Sequence, residues 1–195
     1  NTNSDYLMVT FSNVKGSKTD LVTDSFLKVQ TMTESGDLKH KVSITRTHNG
    51  GDNKYGFYNK QNPTYVRVLV PEDAEFTGLN GNSRPDFKPL IDYDKSEFKK
   101  DEDLSQFEEE SYTDKETGVT IYKEAGKTGY GFWMIVNPGE TKTVDLEYTV
   151  PSAGKNYQFY VQKQPGLDVK DFKFYLDDEL YYDGPLDKDM IISPR

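Results

Sequence analysis

The 195-residue chain has no cysteine. That removes disulfides, thiolate zinc sites and cysteine nucleophiles together. It does not fix the compartment, because many secreted bacterial proteins also lack cysteine. Histidine occurs twice, as His40 and His48. Eight residues apart on one strand, the two share a face but stand roughly 26 Å apart. They cannot share a metal or act as a dyad, and both are expected at the surface. No apolar run approaches the roughly 18 residues that a membrane helix needs. Positive charge is outnumbered, 24 Lys and Arg against 33 Asp and Glu, for a net charge of −9. Phosphate backbones and anionic lipid both repel such a chain, so no nucleic-acid partner and no direct membrane contact is expected. Apolar residues make up only 34%, and the one tryptophan is Trp133.

Tyrosine and phenylalanine are plentiful by contrast, with 14 and 11 copies. Each buries a large area, so a modest number can close a thin core. A sandwich or barrel suits that supply, since each strand gives one face to the interior. Residues 5–12 alternate Leu7, Val9 and Phe11 against Tyr6 and Met8, the period of a half-buried strand. Residues 21–33 and 38–48 read as a long hairpin across a tight turn at Ser35 and Gly36. In the second arm Leu38, Val42 and Ile44 share a face. The run of Val66, Val68, Leu69 and Val70 predicts a strand buried on both faces. Asn137-Pro138-Gly139-Glu140 has the proline and glycine placement of a type II turn. After it Val144, Leu146, Tyr148 and Val150 alternate with polar residues, and Tyr157, Phe159 and Val161 do so again. Phe172, Phe174 and Leu176 mark one further strand. About nine short strands without a long helix argue for an all-β fold. We expect a two-sheet antiparallel β-sandwich, immunoglobulin-like or of a related type, as a single domain over residues 1–195.

Residues 86–116 break the composition. They hold 12 acidic and 5 basic residues, a net of −7 that leaves −2 for the remainder. The pattern predicts an acidic surface insertion, solvated, with one helical turn near Leu104 and Phe107.

An ordered set of motifs resembles a known family. It comprises Gly16, Lys18, Thr19 and Asp20 after a strand starting Asp5-Tyr6-Leu7, then Tyr65 to Pro71 (YVRVLVP). Asn137-Pro138-Gly139-Glu140, Tyr148-Thr149-Val150-Pro151 and a final Gln162-Lys163-Gln164-Pro165-Gly166 follow. The set resembles the C-terminal extracytoplasmic region of a bacterial membrane-anchored protein family of unknown function, found in Gram-positive and candidate-phyla bacteria. The resemblance implies an all-β module at the cell surface, tethered by a segment upstream of Asn1. It implies no activity.

The candidate chemistry is sparse. Asp145 and Glu147 lie on the polar face of one strand, as ordinary solvent-facing residues do, and a glycosidase needs two carboxyl groups converging across a cleft. Calcium is the one cofactor considered. Asp92-Tyr93-Asp94-Lys95-Ser96 begins like an EF-hand loop, but Glu97 stands where glycine is needed and Asp103 where glutamate is. A looser calcium candidate is the tail cluster Asp177, Asp178, Glu179 and Asp183; a charged edge that blocks sheet-to-sheet pairing explains it equally well. Tyr55, Phe57 and Tyr58 crowd one loop and are the ligand-binding candidates, as platforms for sugar rings. Lys163 is a candidate for an intramolecular isopeptide cross-link to an asparagine. The leading expectation is a non-enzymatic structural or interaction module of the cell envelope, its partner an envelope glycan or protein. The alternative is a glycan-binding module with calcium as an optional aid, and a hydrolase ranks third. Binding is expected in the 49–63 loop, the acidic insertion or the acidic tail.

Overall fold

The computed structural model describes residues 4–87, 91, 95, 97–99, 101–151 and 157–194. The EF-hand-like stretch, apart from Lys95, and the expected turn after Pro151 lie outside the described residues. Thirteen strands follow in chain order: β1 (Ser4–Asn13), β2 (Thr23–Glu34), β3 (Asp37–His48), β4 (Asn62–Pro71), β5 (Glu75–Asn80), β6 (Tyr112–Thr113), β7 (Thr120–Glu124), β8 (Lys127–Val136), β9 (Thr141–Pro151), β10 (Gln158–Gln162), β11 (Val169–Leu176), β12 (Glu179–Leu186) and β13 (Met190–Ile192). One sheet has seven strands in the order β13-β10-β1-β4-β8-β7-β6. The other has six, β12-β11-β2-β3-β9-β5. Both bury their inner faces in one shared core that includes Leu7, Val29, Ile44, Val68, Phe132 and Phe174. The fold is therefore an all-β two-sheet sandwich.

The sheets are mixed, not antiparallel throughout as expected. β10 runs parallel to β1, and β11 runs parallel to β2. The chain crosses from the first sheet to the second four times, β1 to β2, β4 to β5, β8 to β9 and β10 to β11. The last crossing lies beside the first and repeats its direction. Apolar alternation fixes which face is buried and carries no information on strand direction, so these pairings were hidden from it.

The expected hairpin of β2 and β3 formed as read, whereas the expected turn over 137–140 joins β8 and β9 of different sheets. Ser35 and Gly36 both take positive φ between β2 and β3, as a tight two-residue hairpin turn requires. Gly139 takes φ 78°, and Glu140 N donates to Asn137 O at 3.0 Å, closing the expected turn between β8 and β9. Strand β4 corrects the sequence reading: Val66, Val68 and Val70 are buried, but Tyr65, Arg67 and Leu69 on its other face are half-buried. The acidic tail is also more ordered than expected, because it supplies β12 and β13. Both are edge strands, as are β5 and β6, and most of their side chains face solvent. An edge strand needs little apolar alternation, which is why the pattern gave no sign of them.

The insertion is only partly a solvated loop. A helix, α1 (Glu102–Glu109), starts at Asp101, whose side chain accepts from Leu104 N at 3.1 Å. Glu102 and Asp103 lie in its first turn, where acidic residues favour the helix dipole. Aromatic contacts pin the segment to the outer face of the seven-stranded sheet. Phe87 meets Trp133 edge-on at 4.9 Å, and Phe107 packs on Tyr122 at 5.2 Å. Tyr122 and Tyr65 lie in turn over Gly129 and Gly131 of β8. A Cβ built on either glycine would stand 2.3 Å from the ring carbon or hydroxyl above it.

Candidate functional site

The two histidines correct the expectation most plainly. Both are buried, His40 at 2% and His48 at 0% exposure. They share the inward parity of Leu38, Val42 and Ile44 on β3, as does Arg46. That parity was the available signal.

His48 builds the base of the aromatic loop. Gly50 N donates to its Nδ1 at 3.0 Å, so the ring proton sits on Nε2 and is donated to Lys60 O at 2.8 Å. One buried ring thus holds both ends of the loop. Gly50 has no room for a side chain, because a Cβ there would lie 2.1 Å from Tyr58 O. Asn59 ties the interior. Its Oδ1 accepts from Gly51 N and Asn53 N, and its Nδ2 donates to Asn53 O. A 3-10 turn over Gly56–Asn59 then presents the aromatic residues. Tyr55 and Phe57 stack at 5.7 Å and are 50% and 43% exposed, and Tyr58 packs against Phe57 at 4.4 Å. Beside Phe57 a cleft of about 450 Å³ opens between this loop and the turn after β1, lined by Lys15, Gly16, Ser17, Phe57, Lys60 and Gln61.

Arg46 anchors the same end of the sandwich from inside. Its Nη2 donates to Asp20 Oδ1 at 2.7 Å and its Nη1 to Asn62 Oδ1 at 2.8 Å, while its guanidinium lies 4.9 Å from the Phe11 ring centre. Asn62 Nδ2 donates onward to Thr19 Oγ1 at 2.8 Å. Burial alone would raise the Asp20 carboxyl, but hydrogen bonds from Arg46 and Asn62 win and hold it below the usual carboxylate range. Burial pushes the Arg46 guanidinium down, opposed by Asp20. Arginine stays charged through such shifts, so this is an ion pair of a buried guanidinium with a half-exposed carboxylate, and it fixes where β4 begins, two residues after Lys60.

A second buried centre joins the sheets. His40 Nε2 lies 3.3 Å from Asp5 Oδ2, its Nδ1 lies 2.9 Å from Thr31 Oγ1, and its ring stacks on Tyr148 at 4.7 Å. Tyr157 donates its hydroxyl to Asp5 Oδ2 at 2.7 Å. Burial, with Asp5 alongside, pushes the Tyr157 hydroxyl far up. The side chains of Asp5 and His40 are both buried, and His40 and Tyr148 also contribute to the lining of a cleft of about 430 Å³ on the six-stranded sheet.

The carboxylates of the tail do not converge. Asp177 and Asp178 form the turn between β11 and β12, both at positive φ, and Asp177 Oδ1 accepts from Thr33 N at 2.7 Å. Glu179 accepts from the Tyr181 hydroxyl at 2.7 Å. Asp183 lies further along β12, 3.4 Å from Lys173 Nζ. Among the described residues no group of three metal-ligating side chains comes together. Asp145 and Glu147 flank Lys41 on the outer face of the six-stranded sheet, at 3.1 and 3.3 Å. Lys163 sits just past the end of β10, half-buried, with Nζ 3.2 Å from Gln164 O. That is not the buried Lys–Asn pair a cross-link needs.

The fold and this cleft define an all-β sandwich with a preformed aromatic loop at one end. No protein-family model matches the chain, and no curated protein matches it. A weak likeness exists to a solved structure described as a "putative nutrient binding protein" from Legionella pneumophila. It has 10% identity and a TM-score of 0.26, and covers 81% of this chain and 48% of that one. The chain thus spans about half the length of that protein, and a likeness of this size bears on neither fold nor ligand.

Proposed function

We propose that the protein is a non-enzymatic carbohydrate-binding module. The observation that carries this reading is the exposed Tyr55–Phe57 stack beside the 450 Å³ cleft. A flat aromatic face offers the apolar side of a sugar ring a large contact at little entropic cost. The loop is held in place before any ligand arrives by His48, Asn59 and Gly50, which lowers the cost of ordering it on binding. Cleft groups such as Ser17 and Gln61 would serve as hydrogen-bond partners for hydroxyls.

The acids argue for the same side of the choice. A glycosidase acid needs its pKa raised. Among the described residues the displaced carboxyls, Asp20 and Asp114, are both held low: Asp20 as above, and Asp114 by hydrogen bonds from Thr117. Placement outside the cytoplasm, on the cell envelope, belongs to this proposal and rests on the order of motifs from Gly16 to Gly166.

A glycan array probed with the full chain, with and without calcium, tests the reading. Selective retention of one class of saccharide, lost on Phe57→Ala, is the expected result. An array without selective binding under either condition overturns it.

A further inference from the structure

The cleft is basic in an acidic protein. Its charged lining side chains are Lys15 and Lys60, and Lys54 holds Nζ 5.1 Å from the Tyr55 ring centre. Among the described residues none of the three lies within ion-pair distance of a carboxylate. Several lysines elsewhere are matched, although others, such as Lys28 and Lys188, also have no ion pair among the described residues. Lys41 sits between Asp145 and Glu147, Lys173 between Asp171 and Asp183, and Lys170 against Asp24. Asp52 is exposed on the aromatic loop but does not line the cleft.

We infer that the cleft takes an anionic saccharide, its ring on the Tyr55–Phe57 face and its carboxylate or phosphate at Lys15 and Lys60. The inference rests on the carbohydrate reading above and narrows it. An anion between two unpaired ammonium groups relieves their repulsion and accepts charge-assisted hydrogen bonds from both. The Lys15 ammonium already lies over an aromatic face, 5.4 Å from the Phe87 ring centre. That contact leaves its charge uncompensated. The net charge of −9 repels the same polyanion from the rest of the surface, so binding is confined to this end.

Calorimetric titration of the full chain with three probes tests this. They are hexagalacturonate, its carboxyl-reduced galactose counterpart, and an oligomannose bearing a 6-phosphate. The expected result is about tenfold tighter binding of at least one anionic probe than of the neutral one, the size two exposed charge contacts can supply. The preference shrinks as salt rises toward ~1 M, where the screening length falls to ~3 Å. Lys15→Gln with Lys60→Gln removes the preference without changing the melting temperature. Equal affinity for charged and neutral probes overturns the inference and leaves the carbohydrate reading standing, as does a preference that survives the double substitution. No binding of any probe also overturns the inference, while the fate of the broader reading is decided by the array.

Discussion

Asp5 and His40 meet between the sheets, with Asp5 Oδ2 3.3 Å from His40 Nε2 and both side chains buried. One stands on β1 of the seven-stranded sheet and the other on β3 of the six-stranded sheet. The distance suggests an ion pair, but the protonation state argues otherwise. Burial pushes the imidazole pKa down, and the neighbouring Asp5 opposes that only in part. The ring is therefore neutral at pH 7. The contact is a polar one within a buried cluster that also holds Tyr157, Tyr148 and Thr31.

A pH dependence follows from the direction of that shift. An unfolded histidine takes its proton near ~6.5, and folded His40 takes it only at lower pH. Below ~6.5 the unfolded chain binds the proton first. Stability present above that value is lost as pH falls toward the folded one, by up to ~1.4 kcal/mol per unit. Thermal melts from pH ~7.5 to ~5 should show the decline. His40→Gln should flatten it, and an unchanged slope in that variant would sink the assignment. Below ~4 a second loss is expected as the Asp20 carboxylate, held low in the fold, is protonated.

Arg46 and Asp20 differ in burial, 0% against 38% exposure of the side chain. Arg46→Ala empties a fully buried site and removes the hydrogen bonds that Arg46 donates to Asp20, Asn62 and Thr64. Its expected cost is about 2–5 kcal/mol, the range for large-to-small truncation at a buried site. Asp20→Asn should cost less, because solvent reaches that side of the pair and the amide can still accept from Arg46. Urea unfolding of both variants checks the order, and a smaller loss for Arg46→Ala would contradict it.

The glycines of β8 offer a graded comparison. Gly129→Ala drives a methyl into the Tyr122 ring, which is buried and backed by Phe107. Gly131→Ala meets mainly the hydroxyl end of Tyr65, which is half-buried and can swing aside. The first should cost about 1–3 kcal/mol as overpacking and the second less. Loss of Phe107 should soften the Gly129→Ala penalty, which a double-mutant cycle measures.

The aromatic loop separates binding from stability. Tyr55→Ala and Phe57→Ala remove exposed rings, so each should weaken saccharide binding about tenfold or more with little change in melting temperature. Gly50→Ala should lower both, because a side chain there collides with the Tyr58 carbonyl and the His48 ring. Parallel titrations and melts distinguish the two patterns.

The parity of the strands already contained the core. Leu7, Val9 and Phe11, then Val144, Leu146 and Tyr148, are inward in the structure as their alternation required. The Ser35–Gly36 turn and the turn at Pro138 were equally legible, because their backbone geometry depends on local residue preferences. The Tyr55, Phe57 and Tyr58 loop was visible as composition. Its stack and its cleft were not, because the cleft is completed by Lys15, Gly16 and Ser17 of the turn after β1, distant in sequence. The inward histidines and Arg46 had the right parity to be found, but polarity suggested the surface. Their hydrogen-bond partners, Thr31 for His40, Lys60 and Gly50 for His48, and Asp20 and Asn62 for Arg46, make burial tolerable.

The chain by itself determined which face of each main strand is apolar, since a two-residue period needs nothing beyond the strand. Tertiary structure decided strand direction, the edge strands and the insertion's seat on Trp133 and Tyr122. It also decided which charges are paired inside and which lysines stand unpaired at the cleft. Those outcomes depend on residues distant in sequence meeting in space, and alternation along one strand carries no record of its neighbours.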